Sequence, residues 1–277
     1  MLTLEPRESE FASQVTAAEQ LAFATRYATL APSSHNSQPW RFVVDGNRLE
    51  LKADRTRALR VVDPDDRELT ISCGAALYHL RVALRYFGLL PSVELQPSSL
   101  DPDLLAVVRI EQQHARTAAD EELFHAIPRR HTNRAPFDAR RPPERLVHAL
   151  VAAAREHGAW LDVTSGLAKE AVAALVADGD RRQLANPAFR RELASWIRTS
   201  DDDSGDGMPA EALGLSDLSA RVVPLILRRF DIGGGHAARD HELAVGSPLL
   251  AVLGSDGNRE VDWVNAGQAL AHVLLRA

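Results

Sequence analysis

Cysteine is almost absent: Cys73 is the only one in the chain. No disulfide can form within it, and a reducing, cytoplasmic setting is expected. Cys73 lies in an apolar helical stretch and reads as a small buried hydrophobe rather than a nucleophile. Long apolar runs are also missing, and none approaches the ~20 residues that cross a bilayer as a helix, so no membrane association is expected. The polar, acidic N-terminus does not resemble a secretory signal. Positive charge is not in excess. The net charge is −6, which argues against a nucleic-acid partner, because phosphate neutralisation needs clustered Lys and Arg. Lysine itself is nearly lacking (Lys52 and Lys169), a composition bias with no functional content.

What remains is ordinary for a globular protein: 45% hydrophobic and 25% charged residues over 277 positions, enough for one large or two modest domains. Apolar spacing predicts a helix over 16–30. Trp40–Val44 and Leu49–Ala53 read as a hairpin around Asp45-Gly46-Asn47. Asp63-Pro64-Asp65-Asp66 is a helix start, and the helix should run to about Phe87, apolar on more than one face and therefore central. Leu104–Ile110 is predicted as a strand, Asp120–Ile127 as a short helix and Arg129–Phe137 as irregular. Helices follow at Pro143–Glu156, Gly166–Ala177 and Asn186–Ile197, with a strand at Trp160–Val163. Residues 200–216 break the composition and read as a mobile surface segment; Leu249–Leu253 returns to strand and Val261 onward to helix. The uneven alternation fits an α+β fold better than repeated βαβ units.

Residues 31–40 read Ala-Pro-Ser-Ser-His-Asn-Ser-Gln-Pro-Trp. Two prolines stiffen a loop filled with hydroxyl and amide side chains. By chemistry alone it is either a helix-to-strand turn capped by Ser and Asn, or a surface for a flat polar heterocycle, since each amide offers a donor and an acceptor in one plane.

The string resembles the flavin-contacting loop of the nitroreductase superfamily, Pro-Ser-Ser-x-Asn-(Ser/Thr)-Gln-Pro-Trp, at Pro32, Ser33, Ser34, Asn36, Ser37, Gln38, Pro39 and Trp40. The resemblance implies FMN lying against this loop. A second element, Arg129-Arg130-His131-Thr132-Asn133-Arg134, offers forked, charge-assisted donors suited to a phosphate and a pyrimidine carbonyl, or is simply a solvated basic loop. It is similar to the superfamily's Arg-x-(Ser/Thr)-x-(Arg/Lys) element. That similarity implies FMN phosphate on Arg130 and Thr132, the flavin pyrimidine near Arg134, Arg129 as a supporting charge and Asn133 within the same binding element.

In ordinary nitroreductases the arginine element precedes the Ser-Ser-x-Asn loop. Here it follows it, and each occurs once. This order, with the Arg-x-Thr-Asn-Arg string and the late Asp262–Leu270 helix, resembles the actinobacterial Acg family, in which two nitroreductase-like halves are fused. The implied architecture is a nitroreductase-like pseudo-dimer with halves 1–118 and 119–277, one flavin site, a lid around 196–241 hinged at Gly205, Gly207 and Gly233–Gly235, and a monomeric or weakly dimeric state. The chain ends at Ala277 without a helix-stop signal, so an incomplete C-terminal part of the pocket is expected.

The resemblance implies electron transfer from NAD(P)H through FMN to a nitroaromatic, quinone or similar small acceptor, with non-enzymatic FMN sequestration under a closed lid as the alternative. No catalytic base is expected. His35 sits within the loop and His131 faces solvent, neither with an evident carboxylate partner. No metal site is expected either. His236 and His241 fall on different helix faces. Residues 202–213 imitate a calcium loop but carry Leu213 where a bidentate Glu is required.

Overall fold

A computed structural model of the chain describes residues 7–133, 135–199, 201–202, 204–210, 223 and 241–277. Arg134, Leu213, the Gly233–Gly235 hinge and His236 lie outside the described residues.

Helix α1 (Ala17–Ala28) starts at a reciprocal cap, with Thr16 Oγ1 accepting from Glu19 N while Glu19 accepts from Thr16 N. Strands β1 (Trp40–Asp45) and β2 (Arg48–Ala53) form the expected hairpin. Its two-residue turn has Gly46 at φ +56°, where a side chain would be strained. Helix α2 (Arg67–Tyr86) follows, and all but five of its twenty residues are buried. This is the central helix that its apolar faces predict. Strand β3 (Leu89–Leu95) was not legible because Pro91 interrupts it. The proline sits at a register shift on a sheet edge, where a missing N–H is tolerated. Strand β4 (Leu104–Gln113) completes an antiparallel sheet in the order β1-β2-β4-β3.

Helix α3 (Ala118–Ala126) ends just before the arginine element, and Arg129–Phe137 is irregular where described, as expected. Then come α4 (Glu144–Arg155), β5 (Ala159–Thr164), α5 (Gly166–Ala185) and α6 (Pro187–Ser195). Helix α5 runs past Ala177 straight through Asp178-Gly179-Asp180. Short β6 (Ile197–Arg198) pairs in parallel with β7 (Met208–Pro209). Strand β8 (Leu250–Ser255) pairs antiparallel with β5, and α7 (Glu260–Arg276) ends the chain. Among the described residues no helix is long and apolar enough to cross a membrane.

Two cores result. One joins α1, α2, α3 and the four-stranded sheet; the other joins α4, β5 and α7 through Leu150, Ala153, Ala154, Leu161, Ala269 and Val273. The bridge between them is a backbone-to-backbone crossing of α2 and α7. A Cβ on Gly267 would lie 2.0 Å from the Ile71 carbonyl oxygen, and one on Gly74 would lie 2.2 Å from that of Val264. The crossing also reveals a repeat that the sequence reading missed. Gly74-x-Ala76-Leu77-x-His79 and Gly267-x-Ala269-Leu270-x-His272 place the same residue types at the same spacing on the two helices.

Candidate functional site

The loop after α1 is held from beneath by α2. Ser34 Oγ donates to Glu68 Oε2 at 2.5 Å, and Cys73 Sγ to the Pro39 carbonyl at 3.2 Å. Burial pushes the Cys73 thiol pKa far up, so it stays protonated, as expected of a small buried hydrophobe. Within the loop, Ser33 Oγ accepts from Gln38 N at 3.0 Å. His35, Asn36 and Gln38 all adopt φ near +50°. Three non-glycine residues in the left-handed region within four positions cost on the order of 1–3 kcal/mol each. Such strain persists only where the surroundings enforce it, and functional loops are where it concentrates.

The described part of 200–216 is not a loose surface segment. Its Gly205–Gly207 turn lies on the loop: Asn36 Nδ2 donates to the Gly207 carbonyl at 2.8 Å and Gln38 Nε2 to the Gly205 carbonyl at 2.6 Å. Gly207 N returns a bond to the Asn36 carbonyl at 3.0 Å. The turn is pinned by Asp206, which accepts from Arg57 at 2.7 Å and from Arg198 at 2.8 Å. Burial alone would raise the Asp206 pKa, but the bonds from Arg198 and Arg57 outweigh it and hold the carboxyl below its usual value. Arg57 also donates to the Ser37 carbonyl at 2.9 Å, tying the anchor to the loop. Glu68, Arg57, Asp206 and Arg198 were not legible as site residues, since only the fold brings them to the loop.

His35 is half-buried, and its Nδ1 is buried without a hydrogen-bond partner. Burial lowers its basicity, and the Glu192 carboxylate opposes that shift. Glu192 itself accepts from the main-chain N–H groups of Val61 and Val62, each at 3.0 Å.

Of the arginine element, Arg130 turns inward. Its guanidinium reaches the Leu30 carbonyl at 3.5 Å, two residues ahead of Pro32, while its Nε is buried with no partner. Burial lowers its pKa. Beneath it on α2, His79 is wholly buried, and neither ring nitrogen makes a regular hydrogen bond, the Tyr27 carbonyl being the acceptor it faces. Burial first, and then the Arg130 charge, bring His79 down to about 3. Arg129, His131, Thr132 and Asn133 are exposed. Asn133 closes a local turn onto Ala135 and does not reach the loop. The structure therefore brings Arg130 to the loop's base and leaves Thr132 and Asn133 on the surface. A separate cavity of about 400 Å³, lined by Arg7, Glu8, Tyr27, Phe124 and Pro128 among others, contains none of the loop's polar side chains.

No family model matches the chain. Curated proteins do. "Putative NAD(P)H nitroreductase Rv3131" of Mycobacterium tuberculosis is 34% identical over 260 residues, covering 94% of this chain and 73% of that protein. "Putative NAD(P)H nitroreductase acg" of the same organism is 30% identical over 255 residues, 92% of this chain and 75% of its own length. "Probable NAD(P)H nitroreductase PigM" of a Serratia species matches 72 residues at 39% identity, a quarter of this chain and a fifth of that protein. With identity of 30–34% over more than nine-tenths of this chain, the α+β fold is nitroreductase-like, and the chain belongs to the nitroreductase superfamily, in its Acg-like family.

Proposed function

We propose that this protein is an FMN-dependent oxidoreductase that passes electrons from NAD(P)H to a nitroaromatic, quinone or similar small acceptor. The observation that carries the reading is the buried, partnerless Nε of Arg130 beside the Leu30 carbonyl, at the base of the loop that matches the flavin-contacting string. An orphaned guanidinium donor is costly unless an acceptor completes it, and a phosphate oxygen is its best acceptor. Asn36 and Gln38 fit the same ligand. Each gives one N–H to the 205–207 turn, and each amide has a second N–H and a carbonyl oxygen to offer a pyrimidine edge.

Bound FMN supplies two-electron chemistry between nicotinamide and acceptor. The chain's own contributions are binding and orientation. Arg130 holds the anionic end. Asn36 and Gln38, fixed by left-handed backbone, orient the ring edge. The Gly205–Gly207 turn shields that edge from water. No general base is assigned. Thr132 and Arg129 join the phosphate only if the exposed element folds inward, and Arg134 is the remaining proposed pyrimidine contact.

We read the chain as two fused halves, 1–118 and 119–277, with one flavin site in a cytoplasmic monomer or weak homodimer. The Gly-x-Ala-Leu-x-His pattern shared by α2 and α7, and the close approach of its two glycines, support this reading. A second function, FMN sequestration, is favoured by the turn lying across both amides as a closed strap within the 196–241 segment.

The visible spectrum of the purified protein separates these. Flavin absorption that NADPH bleaches and a nitro compound restores is the expected result. Flavin absorption that NADPH leaves intact points to sequestration, and a colourless protein that takes up no added FMN contradicts both.

A further inference from the structure

At the other end of the α2–α7 crossing lies a cluster that the flavin reading does not use. His272 projects from α7, His157 sits just past α4, and Glu156 caps α4. His157 Nε2 is 3.3 Å from His272 Nδ1, and Glu156 Oε2 is 3.7 Å from the same His272 nitrogen. One ligand atom from each of the three residues falls within 4.8 Å of the others. Both rings are held in place by Tyr78, which stacks on His272 at 4.8 Å and meets His157 edge-on at 5.1 Å.

The nitrogen separation decides what this could be. Two Zn–N bonds of ~2.05 Å at a tetrahedral angle span about 3.3 Å. The rings therefore already stand where two ligands of one ion would stand. Glu156 is exposed and can close on the same point as a third, anionic donor. The donor set of two imidazoles and one carboxylate suits Zn²⁺ and leaves one coordination position open to solvent.

The position in the fold has its own logic. His272 is the α7 counterpart of His79, and each faces a main-chain carbonyl of the helix packed against it, Ala153 on α4 and Tyr27 on α1. After α1 the chain makes the Pro32–Pro39 loop. After α4 it makes only a short turn through Gly158, then enters β5 directly. The second half thus lacks the loop and carries Glu156 and His157 in its place. The ligand geometry stands without this equivalence and without the flavin reading.

We propose that Glu156, His157 and His272 form a divalent-cation site of the Zn²⁺ class. Arg276 opposes it: its Nε approaches His272 Nε2 at 3.4 Å, where a ligating histidine needs an acceptor for its outer N–H. Arg276 also pairs with Glu122 at 3.6 Å, so it can turn away. Arg81, the other nearby cation among the described residues, is bonded to Gln268 Oε1 at 2.6 Å. On binding, the proton between the two imidazoles leaves their facing nitrogens for an outer ring nitrogen or solvent, and the ion takes both lone pairs.

The test is calorimetric titration of chelator-treated, untagged protein with Zn²⁺, repeated with Co²⁺ to record the ligand-field absorption of a low-coordinate N/O site. The expected result is one saturable ion per chain, with Glu156→Gln weakening it by about tenfold or more and His157→Gln more strongly. Arg276→Gln removes a like charge, supplies an amide acceptor and should tighten binding. Far-UV circular dichroism confirms that each variant is folded. Glu156→Gln is the decisive variant, because that side chain is exposed and its loss leaves the cores intact. Absence of a one-to-one Zn²⁺ isotherm would overturn the site and leave an ion-free histidine pair. Binding kept at full strength in both Glu156→Gln and His157→Gln would put the ion elsewhere and overturn it equally.

Discussion

Replacing Gly267 by alanine should unfasten the α2–α7 crossing. The new methyl carbon would lie 2.0 Å from Ile71 O and 2.9 Å from Ala75 N, both main-chain atoms that no rotamer change can move. Ordinary contact begins near 3.4 Å, so the two helices must part by about 1.4 Å along that line, or α2 must bend. Overpacking a closed core costs roughly 1–3 kcal/mol, and a clash with backbone belongs at or beyond the upper end. For a chain of this size ~3 kcal/mol lowers the melting temperature by roughly 6–12 °C. Gly179→Ala is the internal control. It sits inside α5 with nothing within 4 Å of the added carbon, and there alanine should stabilise by up to ~1 kcal/mol through helix propensity. Urea unfolding of both variants measures the difference. If Gly267→Ala stays within 0.5 kcal/mol of the parent, or if Gly179→Ala is equally damaging, the crossing is not the close backbone contact described.

Asp206→Ala removes the anchor of the 205–207 turn. Its ion pairs to Arg57 and Arg198 are partly solvent-screened and together hold the turn by ~1 kcal/mol, so stopped-flow FMN uptake should quicken about fivefold; an unchanged rate would show that the turn does not gate the loop. His79, held at about 3 against 6.5 unfolded, binds fewer protons folded than unfolded, so its stability contribution falls as pH drops from about 6.5 towards 3. At pH 5 the loss is about 2 kcal/mol, and His79→Leu should abolish that part of the slope in pH-dependent urea unfolding. Asp120 runs the opposite way in mechanism. Burial raises its pKa, but bonds from Thr117, His114 and Arg85 outweigh it and hold it well below 3.8, so its stabilisation is intact above pH 4 and is lost as pH falls beneath that value. Asp120→Asn should therefore cost ~2–3 kcal/mol at neutral pH and flatten the acid limb of the stability profile.

Much of the fold was legible because local signals agreed. The Asp63-Pro64 start and multi-faced apolar pattern identify α2 as central, and Gly46 at a two-residue turn identifies the first hairpin. Where local signals conflicted, the tertiary structure prevailed. Pro91 hides an edge strand that only its neighbour β4 stabilises, and Asp178-Gly179-Asp180 looks like a break inside a continuous helix. The candidate site was half legible. Its loop is one contiguous string, and the Arg130 guanidinium comes to the Leu30 carbonyl, two residues ahead of Pro32. Glu68, Arg57 and Asp206 join it through bonds spanning up to 149 positions, which no spacing rule can foresee. The Glu156-His157 dipeptide is similarly silent until α7 delivers His272 to it. The Gly-x-Ala-Leu-x-His repeat was visible in the chain all along, but its meaning depends on the two glycines touching.

The most direct measurement is FMN affinity in the parent protein and in Arg130→Ala, by quenching of flavin fluorescence. The parent should bind one FMN per chain. Loss of one charge-assisted contact worth ~1.5–3 kcal/mol should weaken that binding roughly 10- to 150-fold, with the fold unchanged by circular dichroism. Equal affinity in the two proteins, or no FMN binding by the parent, would contradict the flavin site at the Pro32–Pro39 loop.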